Sequence, residues 1–396
     1  MYKILFVDDN VNVLTSFKRA LHSGNSLWSV FTANSGAEAL DLMSQEKIDI
    51  IISDLKMPEM DGVELLNNVA AHYPSTLRIA ITGDADPVLC QRAAVISHQF
   101  IAKPYSSVDL SRLIYQLIGL GNLVLKPEIK QVVLRLSNLP SRPSLYTQLL
   151  VELDKSEIDL NHVSEIVSQD IGMAAKILQL VNSAFFGLAR NIVEISEAVS
   201  YLGVETIRDL AFSVHLFSQF DQEFLDKSGL AGLWNHSLRV ATCSRAIYST
   251  VTKEKKSISA SFTAGLLHDV GKLIIGMASS GFYLSTALSG VRDPAQILVR
   301  EQYEFGSTHA EIGAYMLGIW GLPLEIFTAV VNHHDPLKTQ KTGVTGLSFP
   351  VWFANTYVNG IDNNIDGFKD YKEDFQDKEM VETIEKWQQI CSQSMV

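Results

Sequence analysis

The sequence predicts an α/β domain on a doubly wound parallel sheet, followed by an all-α domain. Two observations predict it. Through the first third of the chain, short continuous apolar runs each end in a polar group, the pattern of strands buried on both faces of a parallel sheet. Beyond about residue 128 these runs stop and helical periodicity takes over.

Lys3-Ile4-Leu5-Phe6-Val7 leads into Asp8-Asp9, and Ile48-Asp49-Ile50-Ile51-Ile52-Ser53 into Asp54. Arg78-Ile79-Ala80-Ile81 leads into Thr82, and Gln99-Phe100-Ile101-Ala102 into Lys103-Pro104. In open parallel sheets, functional groups gather outside the carboxyl ends of the strands, near the point where strand order reverses. One sheet therefore brings Asp8, Asp9, Asp54, Thr82 and Lys103 to one edge. Three carboxylates held together raise one another's pKa unless a cation neutralises them. Mg2+ does so with a few carboxylates while keeping several waters. The ion, Lys103 and the Thr82 hydroxyl would then surround an anion placed on one carboxylate.

Residues 1–120 resemble a two-component receiver domain. The acidic pair Asp8-Asp9, the segment Asp54-Leu55-Lys56-Met57-Pro58-Glu59-Met60-Asp61-Gly62, Thr82-Gly83 and Lys103-Pro104 stand where that family has them. The resemblance implies a five-stranded sheet, Asp54 as phospho-acceptor and Mg2+ held by Asp8, Asp9 and Asp54. It also implies Thr82 and Lys103 as phosphoryl contacts, Phe100 as the switch aromatic, a cis Lys103-Pro104 bond and a cognate histidine kinase as partner.

At 396 residues the chain has room for two or three domains with large cores. A net charge of −12 argues against a protein whose main task is gripping a phosphate backbone, so no nucleic-acid partner is expected. Cys90, Cys243 and Cys391 are odd in number and without pattern, which fits a reducing compartment. The N-terminus enters directly into a strand, with no signal peptide. No apolar run is read as approaching the roughly 20 residues that span a bilayer. The expected address is the cytoplasm, with no membrane partner and homodimerisation left open.

Ser111–Ile118 reads as the closing helix of the first domain, with Leu113, Ile114, Leu117 and Ile118 on one side. Gly119-Leu120-Gly121-Asn122 breaks it and Lys126-Pro127 blocks its resumption, giving a linker at 121–127. Val163–Val181 places Ile166, Val167, Ile171, Ala174, Ile177, Leu178 and Val181 on one broad helical face. Further helices are expected at 193–202, 204–219, 230–250, 258–268, 309–317 and 323–334.

Residues 128–360 resemble the HDOD family, a branch of the HD-domain superfamily. The resemblance rests on Leu139-Pro140 through Asn182-Ser183-Ala184-Phe185-Phe186-Gly187, on Leu202-Gly203, and on Gly265-Leu266-Leu267-His268-Asp269-Val270-Gly271-Lys272. It implies a helical signalling module, mostly without an established reaction. His236, His268, His309, His333 and His334 fall where related HD and HD-GYP phosphodiesterases place metal ligands. By that resemblance Asp269 is the bridging carboxylate and Lys272 sits near a substrate phosphate. Imidazole and carboxylate together suit Fe, Mn or Zn, and a metal pair activates water for attack on a phosphodiester. Each histidine also has a structural reading. Thr308 and Glu311 form a capping box that makes His309 a helix opener, His333 and His334 fit a last helical turn, and His236 fits a hydrogen-bonded core.

Two departures oppose catalysis. Where the superfamily's last metal-binding Asp should lie, on a helix around Val351-Trp352-Phe353-Ala354, this chain has Asn355. After His333-His334, Asp335-Pro336 leads into Lys338–Gly346 without Gly-Tyr-Pro, the mark of cyclic-di-GMP phosphodiesterases. A weaker pattern follows at 361–396. Asp362-Asn363-Asn364-Ile365-Asp366-Gly367 with Glu373 satisfies EF-hand spacing, but Lys369 replaces the usual apolar residue, so an acidic turn before a terminal helix is the reading. The expected function is a phosphorylation-controlled response regulator whose output acts by contact, on another signalling protein or enzyme, without an efficient reaction of its own. The alternative is a metal-dependent phosphohydrolase or phosphodiesterase, on cyclic-di-GMP or another nucleotide, gated by Asp54.

Overall fold

The computed structural model describes all residues except 22–26, 84–91, 94–95, 122, 125, 137–138, 156, 183–190, 214–217, 220–227, 292, 336–345, 364–377 and 395–396. Cys90, the Ser183–Gly187 part of the HDOD-like motif, most of Lys338–Gly346 and the EF-hand-like positions from Asn364 to Glu373 lie outside the described residues.

The first unit runs β1 (Tyr2–Val7), α1 (Val11–Leu21), β2 (Trp28–Ala33), α2 (Gly36–Gln45), β3 (Ile50–Asp54), α3 (Gly62–His72), β4 (Leu77–Thr82), β5 (Gln99–Ala102) and α4 (Ser107–Leu120). All its strands pair in parallel, in the order β2-β1-β3-β4-β5. β2 is the strand that no terminal acid, hydroxyl or lysine announces in the sequence. Alternation along each strand feeds two cores. Ile4, Phe6, Ile52, Ile79 and Ile81 pack with Leu14 and Phe17 of α1 and Ile114 and Leu117 of α4. Leu5, Val7, Ile51 and Ala80 pack with Ala39 and Met43 of α2 and Val63, Leu66 and Val69 of α3. Each Val, Leu, Ile, Phe or Met among them contributes about 1.5–3 kcal/mol of burial, so both faces are strongly held.

The second unit contains α5 (Pro127–Arg135), β6 (Pro140–Ser141), α6 (Pro143–Leu153), α7 (Leu160–Ser168), α8 (Ile171–Val181), α9 (Ile195–Ser213) and β7 (Ser218–Gln219). It continues with α10 (Leu233–Val251), α11 (Lys255–Leu267), α12 (Val270–Ala278), α13 (Phe282–Leu288), α14 (Pro294–Phe305), α15 (His309–Ile319), α16 (Leu324–Asn332), α17 (Ser348–Asn363) and α18 (Lys378–Ser394). The helical reading holds, with three corrections. The single helix expected at Val163–Val181 is two, because the Asp170 side chain accepts from Met173 N–H at 2.8 Å and starts a new helix there. The same carboxylate accepts from Arg142 N–H and Trp234 Nε1–H, which fixes the break in space. Within α9 the backbone breaks at Gly203, with φ 75° and ψ 161°, between the two helices expected at 193–202 and 204–219, and that φ suits glycine. β6 and β7 add one short parallel pair to the all-α expectation. Finally, Lys255–Ala278 is 24 residues long and its most apolar 18-residue window has mean hydropathy 1.2, so one stretch among the described residues does pass a length-and-composition test for a membrane span. It is α11 and α12 of the core, 78% buried in its most apolar window.

The two units share one core. The cluster on the α1–α4 side of the sheet continues through Leu120, Val124 and Val133 to Ile171, Leu178 and Trp320. Polar bonds cross the same joint. Arg78 at the start of β4 donates to Leu134 O at 3.0 Å, and His98 Nε2–H donates to the same carbonyl at 2.9 Å. Gln99 Nε2 donates to Gly318 O at 3.1 Å, and Gln179 Nε2 to His98 O at 3.2 Å.

Lys176 is buried beside this joint, its ammonium 5.4 Å from the Trp320 ring centre, and burial drives its pKa to about 7. An unfolded lysine titrates near 10.5, so between about 7 and 10.5 unfolding takes up a proton and stability rises with pH. Lys176→Met should therefore stabilise the protein at pH 7 by on the order of 2 kcal/mol, less whatever the cation–π contact contributes. Thermal unfolding across pH 7 to 10.5 checks this: the advantage should fade toward the upper end of that window.

Candidate functional site

The carboxyl ends of β1 and β3 meet at the switch point of the sheet, which brings Asp8 and Asp54 together as expected. Asp8, Asp9 and Asp54 offer oxygens within 4.8 Å of one another; Asp8 and Asp54 are buried and Asp9 is exposed. Lys103 Nζ lies 3.0 Å from both Asp8 Oδ2 and Asp54 Oδ2. Leu55 N–H donates to Asp54 Oδ1 at 3.0 Å and Asn10 N–H to Asp8 Oδ1 at 2.9 Å. Thr82 is buried at the end of β4, level with Ala102 of β5, and the Lys103-Pro104 bond is cis. Phe100 is half-buried and packs against both core clusters. Gly62 is required beneath Asp54, since a Cβ there would fall 2.1 Å from Asp54 O. Burial raises the Asp54 pKa, Lys103 opposes this in part, and Asp8 adds to it. On Lys103 burial works downward, but Asp54 and Asp8 outweigh it and raise the pKa.

The second cluster is built where α11 breaks into α12. His268 closes α11 and Asp269 precedes α12, both buried. α10 supplies His236, α15 opens with His309, and His333 and His334 follow α16. Two sets of ligand atoms form: Asp269, His309, His333 and His334, and His236, His268 and Asp269, each within 4.8 Å and sharing Asp269. The capping box of Thr308 and Glu311 is present, so the helix-opening reading of His309 holds.

Nδ1 of His268 lies 2.7 Å from Gly265 O, and Nδ1 of His333 lies 2.6 Å from Val330 O. A carbonyl oxygen only accepts, so these Nδ1 atoms carry the proton and each Nε2 presents a lone pair. Nδ1 of His309 lies 2.7 Å from Glu301 Oε2, and Nδ1 of His236 lies 3.2 Å from Asp362 Oδ2. The inward atoms are therefore acceptors facing acceptors. His309 Nε2 is 3.0 Å from Asp269 Oδ1, 3.0 Å from His334 Nε2 and 3.4 Å from His333 Nε2. His268 Nε2 and Asp269 Oδ1 are buried without a hydrogen-bond partner among the described residues. Asn355 Oδ1 points at His236 Nε2 from 3.1 Å, its amide turned that way because Asn359 Nδ2 donates to the same oxygen at 2.8 Å. Converging lone pairs of imidazole, carboxylate and amide are the donor set of a divalent transition ion. The residues fit such an ion.

Charges in the cluster follow its burial. Burial lowers the pKa of His268, drives His333 down to about 3 and holds His334 well below the imidazole range. On Asp269 burial works upward, but His268 and Lys272 outweigh it and hold the carboxylate well below its usual value. On His309 burial works downward, and Glu301 outweighs it, so the pKa is raised. Lys272 Nζ is 2.6 Å from Asp269 Oδ2 and faces a cleft of about 510 Å3. His236, Asp269, His309 and His334 form its polar floor, and Leu233, Val291 and Ile297 contribute to its apolar wall.

A family model for the HDOD domain matches residues 139–336, and one for the response regulator receiver domain matches residues 4–115. The chain belongs to the receiver–HDOD response regulators. An uncharacterized protein of Treponema pallidum is 27% identical over 233 residues, 58% of this chain and 44% of that one. The transcriptional regulatory protein GlrR of Escherichia coli is 38% identical over 115 residues, 27% of this chain and 25% of its own. The chain thus spans less than half the length of these curated relatives. The MmoQ response regulator of Methylococcus capsulatus is similar in structure, with TM-score 0.49 and 21% identity over 56% of this chain and 86% of that chain. Receiver domains typically use Mg2+ and imply a histidine kinase partner, and HD-type domains bind divalent metals.

Sequence reasoning missed Glu301 and Asp362. Glu301 is a buried mid-helix acid that reads as a solvated charge. Asp362 and Asn363 belong to α17 and not to the turn read there. The Asp362 carboxylate, which the EF-hand spacing assigned to a Ca2+ loop, instead engages His236 and Arg239.

Gly271 of the His-Asp-Val-Gly-Lys run sets the α12–α15 distance, because a Cβ there would fall 1.9 Å from His309 O. Gly271→Ala should destabilise the protein by about 3 kcal/mol through overpacking and pull His309 away from Asp269. Thermal unfolding should register the first effect, and the content of bound transition metal after purification the second.

Proposed function

We propose that this receiver–HDOD protein is a phosphorylation-controlled regulator whose helical domain holds a divalent metal pair and acts by contact on another signalling protein, without efficient turnover of its own. In this reading Asp54 is the phospho-acceptor, Asp8, Asp9 and Asp54 hold Mg2+, Thr82 and Lys103 contact the phosphoryl group, and the HDOD domain spans 128–360 in the cytoplasm. His236, His268 and Asp269 bind one ion, and His309, His333 and His334 complete a second position on Asp269. The metal is Fe, Mn or Zn.

One observation carries the absence of turnover. The oxygen aimed beside His236 Nε2 belongs to the amide of Asn355. An amide oxygen still ligates, but it takes one negative charge out of the metal shell, leaving Asp269 as the anionic ligand of the named set. A second reading, phosphohydrolysis, is favoured by the cleft that joins Lys272 to the cluster. A metal pair there supplies Lewis-acid polarisation and a low-pKa water. Lys272 would bind a phosphate as a point charge, and Asp269 holds its ammonium in place.

Two measurements test the proposal. Asp54 should be labelled by acetyl phosphate only with Mg2+ present, and Asp54→Asn should abolish the label; full labelling of that variant would show the acceptor to be elsewhere. The full chain, loaded with Mn2+, should hydrolyse cyclic-di-GMP at a negligible rate, and Asn355→Asp should raise that rate by tenfold or more, as expected for one restored electrostatic contact. Steady hydrolysis by the unaltered protein, lost in His268→Ala and Asp269→Ala, would replace contact with the phosphohydrolase reading.

A further inference from the structure

Two carboxylates stand behind the histidines of the cluster, and neither belongs to the ligand set. Glu301 of α14 is buried and accepts from three donors. His309 Nδ1 lies 2.8 and 2.7 Å from its two oxygens, His309 N–H donates to Oε2 at 2.8 Å, and the Tyr283 hydroxyl donates to Oε1 at 2.9 Å. Glu301 thus fixes both the first backbone N–H of α15 and the ring that the helix presents. Asp362, near the end of α17, takes His236 Nδ1 at 3.2 Å and pairs through its other oxygen with Arg239. Asp362 lies on the helix that carries Asn355, two turns further on.

We propose that Glu301 and Asp362 are positioning residues for the metal centre: they lock His309 and His236 with Nε2 inward and supply, through those rings, anionic character to the ions. This inference rests on the metal-centre reading above and deepens it. A carboxylate on the outer N–H of a ligating imidazole orients the ring and raises its donor strength, and removing such a partner typically weakens metal binding by about 10–100-fold. The chain has an amide at position 355, and Asp362 places a negative charge behind the neighbouring histidine of the same position. Glu301 has the larger effect, since it is buried and meets His309 with both oxygens, whereas Asp362 is partly exposed and shared with Arg239.

The test is Mn2+ affinity of the full chain by isothermal titration, with the Co2+ absorption spectrum as a report on ligand geometry. Glu301→Gln should weaken Mn2+ by about 10–100-fold and alter the Co2+ bands, and Asp362→Asn should weaken it by about tenfold. In the Asp362→Asn background, Asn355→Asp should restore most of the loss by returning the charge directly. A purely structural role for Glu301 would lower the unfolding temperature of the metal-free protein and leave Mn2+ affinity unmoved. Asp362 sits near a helix end, so Asp362→Asn keeps the inference open to refutation where Glu301→Gln does not fold. Equal Mn2+ affinity in Asp362→Asn and the unaltered protein, or in Glu301→Gln, overturns the role of that residue and leaves the metal centre standing. No Mn2+ binding by the unaltered protein overturns both.

Discussion

A buried carboxylate, Asp269, is the constraint on which the helical half depends. A carboxylate taken out of water costs several kcal/mol unless charge and hydrogen bonds compensate it. Here Lys272 of α12 supplies the cation, and α10, α11, α15 and the end of α16 gather His236, His268, His309, His333 and His334 around the same acid. Those elements cannot move independently without exposing or stranding that charge. The packing rules agree with the electrostatics. Gly271 and Gly313 let α12 and α15 approach until backbone nearly touches backbone, and Gly265 does the same for α11 against Ala241 of α10.

The α/β unit meets the same problem with fewer parts. Asp8 and Asp54 share Lys103 as Asp269 shares Lys272, and in both places an ammonium stands where a divalent ion and an anion would compete for the carboxylates. The two centres are also joined by covalent and packed structure. β5 carries Phe100 beside Gln99, and Gln99 bonds Gly318 near the far end of the helix that opens with His309. Continuous burial around Leu120, Val133 and Trp320 makes the joint a core rather than a flexible tether.

α18 closes the opposite side. Trp387 and Cys391 pack with Phe349, Trp352 and Phe353 of α17 and with Cys243 and Ile247 of α10. This aromatic cluster anchors the two helices that bear His236, Asn355 and Asp362, so the terminal helix supports the histidine cluster from behind.

The sequence by itself determined the sheet, the acidic edge and the list of histidines. Alternation and strand-end chemistry are local, and they specify β1, β3, β4 and β5 together with the groups at their ends. The order of His236, His268-Asp269, His309 and His333-His334 likewise needs no coordinates once the resemblance is noticed. Local signals were weaker at β2, which ends in no functional group, and at Val163–Val181, where helical periodicity ran through the Asp170 cap that divides it. Only the tertiary structure decided what stands behind the histidines. Asp362 reaches His236 across 126 positions and Gln99 reaches Gly318 across 219. Glu301 is closer in sequence to His309, but their meeting depends on the reversal at Gly306, whose φ of 68° ends α14 and turns the chain back. A helix's periodicity says which face is apolar; it does not say which polar residue on a neighbouring helix that face's histidine will meet, because this is set by crossing angle and rotation in the packed core.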